Sequence, residues 1–488
     1  MAQTSLKQKA ATGMVWNAIQ KYSTMGVQFI SGIILARLLT PYDYGCIGML
    51  AIFMLLAETF VDSGFGSALI QKKKPTQEDY STIFYWNIGV SFLMYSILFC
   101  TAPAIARFYG IPLLSDVLRV QGIGIIITAL SIIQINQLRK TFKFRILSIV
   151  NISTSVIALS ITVLMAYMGC GVWALVAQYI ITAAIPCIVY WLVLKWRPSL
   201  SFSMQSFKEL FSFGVFMFFT QLVNRFGQQI QGLLIGRIYN PTTMGYYSKA
   251  NSTERLASSS ISQIMIQVTF PLYAEAQDDR KMLSNMIKHL TMTLSYITFP
   301  LLFILILLAK PLFILLYSER WVESVPYFQV LCIAGLAFCL MSVNTQSINA
   351  IGKSRLMFVW TLIRRIIGIG LIIGGLLIFG MKGLLIGVVI SEWFSYFVNV
   401  GLVSKHIGYK WWHQIMDILS ILMVSLLAAA LSYFISHLFP ISLYIDALLK
   451  LLIFVLIYLG WSFVFKPEAF KYFISIIELL KTKLKKIK

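Results

Sequence analysis

Residues 28–45 read QFISGIILARLLTPYDYG, and residues 228–245 read QQIQGLLIGRIYNPTTMG. Without any gap, a Gln, a Gly, an Arg, a Pro and a second Gly recur at matching places in both stretches. Because Gly and Pro mark breaks in regular backbone, this shared order predicts one structural unit used twice. The turn residues of the two copies are Arg37, Pro41 and Gly45, and Arg237, Pro241 and Gly245.

The composition predicts a membrane protein. The chain has 488 residues, of which 58% are hydrophobic and 12% are charged, whereas soluble domains carry about 25% charged residues. Apolar runs of about 20 residues, the length that crosses a bilayer, recur throughout. We predict an all-α polytopic membrane protein with about fourteen spans, at 14–38, 44–68, 81–106, 113–137, 145–168, 172–194, 208–236, 245–272, 286–309, 325–350, 356–380, 383–404, 415–437 and 442–465.

The basic residues predict the orientation. The N-terminus, the even-numbered connections and the C-terminus together hold 26 of the 40 Lys and Arg, and the odd-numbered connections hold seven. Because cytoplasmic loops concentrate Lys and Arg, both termini are predicted to be cytoplasmic. The same rule accounts for most of the net charge of +22, so no nucleic-acid partner is predicted. The first apolar segment is spanning length, includes Lys21 and lacks a cleavage site, so no cleavable signal peptide is expected.

The spacing of the repeat predicts the domain organisation. An offset of 200 residues covers six spans, and an even number leaves both copies in the same orientation. We therefore expect two parallel six-helix bundles, 1–200 and 201–410, followed by two additional transmembrane helices in 411–465. The segment 466–488 is basic; it is predicted either as an amphipathic helix on the cytoplasmic leaflet or as a solvated tail.

Polar stripes along the first helix of each half predict a cavity. Ionisable groups inside a membrane normally face the bundle interior or water. Helical spacing puts two sets of polar side chains on one face each: Asn17, Lys21, Thr24 and Gln28 in the first span, and Gln221, Asn224, Arg225 and Gln228 in the seventh. A polar seam that only stabilises the bundle is the alternative. A cavity is favoured because each stripe carries a full cation.

Further polar residues at membrane depth extend the candidate site. The eighth span carries Lys249, Asn251, Arg255 and Gln263, and the eleventh carries Arg364 and Arg365, which either line the cavity or extend to the cytoplasmic edge. Candidates for ion coupling are Glu58 and Asp62, which alternatively pair with Lys21, together with Glu254 and Glu392. Lys and Arg attract phosphate, and amides and hydroxyls suit sugars, so the predicted ligand is an anionic glycan.

The sequence offers no pattern for catalysis or metal binding. Its four His residues lie near loops or span ends, and the six Cys residues lack metal-ligand spacing and are interpreted as free thiols. GxSxG, Walker A and HExxH motifs are absent. We therefore expect a protein that is not an enzyme and that uses neither a cofactor nor a metal.

Three stretches resemble a known family. ILARLLTPYDYGCIGML at 34–50, DSGFGSALIQKK at 62–73 and EDYSTIFYWN at 78–87 are similar to bacterial polysaccharide exporters. Within these they resemble the Wzx-type lipid-linked oligosaccharide flippases, near the colanic-acid-exporter branch of the multidrug/oligosaccharidyl-lipid/polysaccharide exporter superfamily. The resemblance implies two six-helix bundles that form a V around a central cavity and alternate between inward- and outward-open states.

The resemblance also implies a function. Members move an undecaprenyl-pyrophosphate-linked oligosaccharide from the cytoplasmic to the periplasmic leaflet of the bacterial inner membrane, for surface polysaccharide such as lipopolysaccharide. Expected partners are this lipid-linked anionic glycan, membrane lipids, a coupling cation (H⁺ or Na⁺) and a polysaccharide polymerase or chain-length machinery. The alternatives are a cation-coupled drug or metabolite antiporter of the same fold, and a membrane enzyme such as a glycan ligase, which the short loops disfavour.

Overall fold

All regular secondary structure among the described residues is helical. The computed structural model describes the backbone of residues 2–276, 279–439 and 442–474, without the side chains of residues 2–11, 14, 67, 212–214, 216–217, 263–272, 274–275 and 354–355. The helices of the first half are α1 (Ala2–Leu38), α2 (Pro41–Asp62), α3 (Phe65–Gln71), α4 (Gln77–Tyr109), α5 (Leu113–Lys140), α6 (Phe144–Tyr167) and α7 (Val172–Val193). They are followed by α8 (Met204–Ile238), α9 (Pro241–Glu275), α10 (Arg280–Leu307), α11 (Ala309–Tyr317), α12 (Val325–Ala350), α13 (Ser354–Ile407), α14 (Trp411–His437) and α15 (Leu443–Phe465).

The predicted all-α membrane fold is confirmed. Twelve of the fourteen predicted spans each fall mainly on one helix or, twice, on one half of α13, and the span at 286–309 ends at the junction of α10 and α11. The span predicted at 44–68 is wrong as one helix: left-handed backbone at Ser63 and Gly64 ends α2 and starts the short helix α3. In the described part of the chain, ten helices are long and apolar enough to cross a membrane. Among the long helices, α1, α8 and α9 are not in that group over their described residues. They are also the helices on which the sequence places most of its polar residues at membrane depth.

Local sequence signals explain where the repeated turns begin new helices. The Thr40 amide donates to Asp43 Oδ2 at 2.9 Å, and the Asp43 amide donates to Thr40 Oγ1, which caps α2 with Pro41 in its first turn. In the second copy Asn240 takes the same place, and its Oδ1 accepts from the Thr243 amide at 2.8 Å. Both copies therefore end one helix and start the next with the same chemistry.

A sharp break divides α13 into the two spans predicted at 356–380 and 383–404. Gly380 has φ 58° and ψ −139°, a conformation that is essentially restricted to glycine. The two halves of α13 pack closely on either side of the break. The approach is so close that a Cβ on Gly375 or on Gly383 would collide with the backbone carbonyl of the other glycine. Glycines thus allow both the reversal of the chain at residue 380 and the close packing of the two halves of α13.

The chain forms two compact units, Met1–Ser248 (unit 1) and Lys249–Lys488 (unit 2). In unit 1, α1 packs on α6, α4 and α7 pack on α5, and α8 packs on α2. Unit 1 thus contains α8, although this helix follows residue 200 in the sequence. The division into bundles at 1–200 and 201–410 describes the sequence repeat and remains a prediction.

Unit 2 is built around α10. Helices α12 and α14 pack on α10, and α15 packs on α14. Tyr458 of α15 donates to the Tyr296 carbonyl of α10 at 2.9 Å, and Tyr296 donates to Ser462 Oγ at 2.8 Å. Of the two additional C-terminal helices, α15 is therefore joined to α10 by buried hydrogen bonds, and α14 packs on α10.

The chain after α15 packs back on unit 2 as far as it is described. Lys288 of α10 lies 2.9 Å from Glu468 Oε2, and His289 stacks on Tyr472 at a ring separation of 3.9 Å. Phe470 is buried near Tyr296. The rest of the predicted basic tail, residues 475–488, lies outside the described residues.

Candidate functional site

A polar cavity of about 1020 Å³ lies inside unit 1, and residues from α1, α5, α6 and α7 line it. Helix α1 contributes three side chains of its predicted stripe, Asn17, Thr24 and Gln28. Lys21, the cation of that stripe, is half-buried and is not among the lining residues. The α1 stripe thus contributes amides and a hydroxyl to the cavity.

The cations of this cavity come from the end of α5. Arg139 and Lys140 line it, and both were assigned from the sequence only to the cytoplasmic charge. Lys140 donates to the carbonyl of Leu69 at 2.8 Å and also to those of Ile70 and Lys72, so it caps the C-terminal end of α3. Arg139 is exposed and forms no hydrogen bond or ion pair with the described residues.

Polar residues of α6 and α7 complete the lining and were missed from the sequence. Asn151, Thr154 and Ser155 lie at i, i+3 and i+4 on α6, and Thr182 of α7 joins them. The helical spacing that identified the α1 stripe applies equally to α6. The signal is therefore present in the sequence, in a polar stripe that carries no charge.

A second, smaller cavity shares part of the same wall. It measures about 330 Å³ and includes Gln28, Ser155 and Thr182, which also line the first cavity. Beyond them it reaches Gln121 of α5 and Tyr179 of α7. Polar side chains therefore continue through the interior of unit 1 past the end of the larger cavity.

Glu58 pairs with Arg225 of α8 in the structure, and not with Lys21, which the sequence analysis named as one alternative partner. The Tyr179 hydroxyl donates to Glu58 Oε1 at 2.5 Å, and Arg225 Nη1 lies 3.8 Å from Glu58 Oε2. The reason is that α8 packs on α2, which brings the two helices' charged residues together. Asp62, one turn further along α2, lies with Asn136 against Gly66.

The remaining α8 stripe residues do not line either of these cavities. Gln221 and Asn224 are half-buried, and Gln228 is exposed. The interpretation that both stripes line a shared cavity remains a prediction. Arg225, the cation of the α8 stripe, pairs with Glu58, and this pair explains why a charged residue stands at position 225.

Arg255 of α9 lies between two acids in unit 2. Its Nε lies 3.7 Å from Glu254 Oε2, and its Nη2 lies 3.7 Å from Glu392 Oε1. Its guanidinium also lies 4.3 Å from the centre of the Phe338 ring. A predicted cavity cation and two predicted coupling acids therefore form one charged group.

Three other predicted cations of unit 2 have different surroundings. Lys249 is only 4% exposed, and its Nζ lies 4.0 Å from the centre of the Tyr317 ring. Arg364 is 7% exposed and donates to Thr361 Oγ1 at 2.9 Å, so its guanidinium is packed within the protein. Arg365 and Asn251 are half-buried, and the side chain of Gln263 lies outside the described ones.

The two repeated turns touch each other within unit 1. A Cβ on Gly45 would collide with the carbonyl oxygen of Pro241, and a Cβ on Gly245 would collide with that of Pro41. The contact is reciprocal, as expected for two copies of one unit related by local two-fold symmetry. Arg237 donates to the Phe108 carbonyl at 2.8 Å, which holds the second turn beside the end of α4.

Comparisons with known proteins agree with the fold. A solved structure of the lipid II flippase MurJ, in an inward closed conformation, matches with a TM-score of 0.73 at 16% identity and covers 93% of this chain and 98% of MurJ. The teichuronic acid biosynthesis protein TuaB of Bacillus subtilis (strain 168) is 27% identical over 358 residues, which are 73% of this chain and 74% of TuaB. The lipopolysaccharide biosynthesis protein WzxC of Escherichia coli (strain K12) is 22% identical over 402 residues, 81% of this chain and 82% of WzxC.

A family model described as "Polysaccharide biosynthesis protein" matches residues 34–326, more than half of the chain. The match starts at the residues 34–50 on which the resemblance to polysaccharide exporters rests. It also includes both copies of the repeated turn. The protein belongs to the polysaccharide biosynthesis protein family.

Proposed function

We propose that this protein is a flippase that moves an isoprenoid-diphosphate-linked oligosaccharide from the cytoplasmic to the periplasmic leaflet of a bacterial inner membrane. The observation that carries the proposal is the polar cavity inside otherwise apolar helices, with cations at one end. Such a cavity suits phosphate and sugar hydroxyls but not the isoprenoid, which would remain in the lipid. The names of TuaB, WzxC and MurJ, which refer to teichuronic acid, lipopolysaccharide and lipid II, support this substrate class.

Alternating access is the mechanism that fits a duplicated membrane protein. In this mechanism the two halves open in turn toward either side of the membrane. The contact between the repeated turns would close the periplasmic side, since the distribution of Lys and Arg assigns these turns to that side. Opening there requires Gly45 to separate from Pro241 and Gly245 from Pro41.

Ion coupling is proposed for the paired acids. Glu58 faces Arg225, and Glu254 and Glu392 share Arg255. A proton or Na⁺ that binds such a carboxylate weakens its attraction to the arginine, which would link ion binding to a change of contacts between helices. The hypothesis is therefore that the coupling ion, H⁺ or Na⁺, binds at these acids.

The test is transport of a lipid-linked glycan by purified protein in proteoliposomes. The expected result is movement of the glycan headgroup to the opposite leaflet, and faster movement with an imposed proton or sodium gradient. Drug efflux without glycan movement would support the antiporter alternative. The same vesicles should show no joining of glycans, and such joining would favour the membrane enzyme.

A further inference from the structure

We infer that the cavity inside unit 1 binds an anionic saccharide, with the negative group at Arg139 and the sugar rings against α6 and α7. This inference rests on the proposed function and names the part of the substrate that would enter unit 1: a sugar that carries a phosphate. Neither Arg139 nor the α6 residues belonged to the predicted site.

The charges occupy one end of the cavity only. Arg139 and Lys140 end α5, and Phe144 at the start of α6 lines the same region. Ser155 lies eleven residues further along α6, which at 1.5 Å per residue is roughly 16 Å deeper. The cavity therefore has a cationic entrance and an uncharged polar interior, as a ligand with one charged end and many hydroxyls requires.

Arg139 is suited to hold an anion because its guanidinium is exposed and its hydrogen-bond donors are not taken up by the described residues. Among the described residues it has no hydrogen bond or ion pair, whereas neighbouring Lys140 donates to three backbone carbonyls. A guanidinium can form two parallel hydrogen bonds to one phosphate. Lys140 is occupied in capping α3, which leaves Arg139 as the cavity cation able to contact the ligand directly.

The interior has an unsatisfied hydrogen-bonding group. Thr154 is 3% exposed, and its Oγ1 has no hydrogen-bond partner although it lines the cavity. Asn151, Ser155 and Thr182 add an amide and two hydroxyls around it, and Tyr190 adds an aromatic ring. Buried polar groups are normally paired, so this wall favours a ligand rich in hydroxyls.

The size of the cavity agrees with this ligand class. At about 1020 Å³ it lies at the upper end of the volumes of small-molecule sites. Phe142 and Phe144 at the entrance offer apolar surface to the faces of sugar rings. A bare phosphate would leave most of the polar interior unused, so the proposal requires the sugar as well as the charge.

Binding to the purified full-length protein in detergent, measured by calorimetry, tests the inference. The probes are glucose 1-phosphate, glucose, inorganic phosphate and farnesyl phosphoryl glucose. We expect glucose 1-phosphate to bind more tightly than either glucose or phosphate. Binding of farnesyl phosphoryl glucose at the same site, at least as tightly, would identify a lipid-linked source of the ligand, and binding of only the soluble probe would identify a free sugar phosphate.

Variants with matched controls locate the site. Arg139→Gln should weaken binding of glucose 1-phosphate at least about tenfold, and Arg139→Lys should restore part of it. Arg145→Gln removes the same charge from an exposed residue that lies over Trp16 and outside the cavity, and it should have little effect. Thr154→Val should weaken binding about threefold to tenfold, whereas Thr162→Val, in the same helix but outside the cavity, should not.

The outcomes separate this inference from the proposed function. Unchanged binding in both Arg139→Gln and Thr154→Val, an equal loss in Arg145→Gln, or equal affinity for glucose and glucose 1-phosphate would overturn the inference. If the wild type transports lipid-linked glycan and Arg139→Gln transports it equally well, the function stands and the site is wrong. If binding depends on Arg139 but the wild type moves no glycan, the site stands and the flippase function fails.

Discussion

At the scale of single residues, the repeated turn depends on two glycines with no room for a side chain. Gly45→Ala and Gly245→Ala each place a methyl group on a backbone carbonyl of the opposite copy. We expect each to destabilise the protein by about 1–3 kcal/mol, as overpacking does, and to favour separation of the turns. The melting temperature in detergent and cross-linking between cysteines at residues 42 and 242 would measure both effects.

Gly89→Ala is the matched control for these changes. Gly89 lies in α4, and a Cβ on it meets no atom within 4 Å. Alanine is the better helix former, so this variant should be as stable as the wild type or slightly more stable. A Gly45→Ala protein that melts and cross-links like Gly89→Ala would show that the turns do not form this contact.

The pair formed by Glu58 and Arg225 can be isolated by a double-mutant cycle. Glu58→Gln and Arg225→Gln should each lower the thermal stability, and the double variant should lose less than the sum, with a coupling energy of about 1 kcal/mol. The coupling is modest because the atoms are 3.8 Å apart and both side chains are about one-third exposed. Lys21→Gln serves as the control: Lys21 forms no ion pair with Glu58 in the structure, so it should show no coupling with Glu58→Gln.

The sequence predicted single residues best where a periodic pattern had a charge in it. Asn17, Thr24 and Gln28 were found because Lys21 drew attention to their helix, yet Lys21 itself does not line the cavity. Asn151, Thr154 and Ser155 were missed because their helix carries no charge at that depth. Arg139 was missed because a basic residue at the end of a helix can either mark the cytoplasmic side or bind a ligand. The sequence does not separate these roles; the folded chain does, because it shows that Arg139 lines a cavity.

At the scale of helices, α13 depends on its interruption. Gly380 has φ 58° and ψ −139°, which only glycine adopts without strain. Gly380→Ala should therefore cost about 1–3 kcal/mol of stability, measured as a lower melting temperature in detergent. Gly374→Ala, in the same helix with a Cβ that meets no atom within 4 Å, should not lower it. Equal melting of the two variants would contradict the break at residue 380.

The segment after α15 gives a pH-dependent contact. The hydrogen bond from Lys288 lowers the pKa of Glu468, which lies outside the membrane spans. Since the folded-state pKa is below the ordinary value near ~4.3, the contact stabilises the protein above that pH and is lost as the pH falls through the lowered pKa. Limited proteolysis should therefore cut residues 466–474 faster below about pH 4.

Variants make this pH effect specific. Glu468→Gln should be cut rapidly already at neutral pH, and its cleavage should no longer depend on acid. Lys471→Gln removes a weaker, purely electrostatic contribution to the lowered pKa of Glu468, so it should keep the segment resistant at neutral pH and move the onset of acid cleavage only slightly. A Glu468→Gln protein that remains as resistant as the wild type would show that the aromatic contacts of Phe470 and Tyr472 hold the segment alone.

Helix positions were more predictable than helix partners. The Pro and Gly punctuation and the apolar runs place nearly every span, because a helix in a membrane must satisfy its backbone internally. Which helices touch depends on side chains far apart in sequence. The packing of α8 on α2, and with it the pairing of Glu58 with Arg225, follows from such contacts and has no local signal.

At the scale of the whole molecule, the distribution of basic residues makes a topology prediction. Tags at the N- and C-termini should be accessible only from the cytoplasm, and a reporter at Lys382, between the last two spans of the second repeat, only from outside. Alkaline phosphatase and green fluorescent protein fusions would measure this. One terminus found outside and the other inside would contradict the even number of spans, and a reporter at Lys382 found inside would contradict the predicted orientation of the second repeat.

The reciprocal contact of the turns also has a consequence for evolution. A gene duplication normally frees each copy to accumulate its own substitutions. Here the carbonyl of Pro41 occupies the space that a side chain at residue 245 would need, and the carbonyl of Pro241 does the same at residue 45. The backbone of each copy therefore limits which substitutions the other copy tolerates. The two turns can for this reason stay similar in sequence after the surrounding helices have diverged.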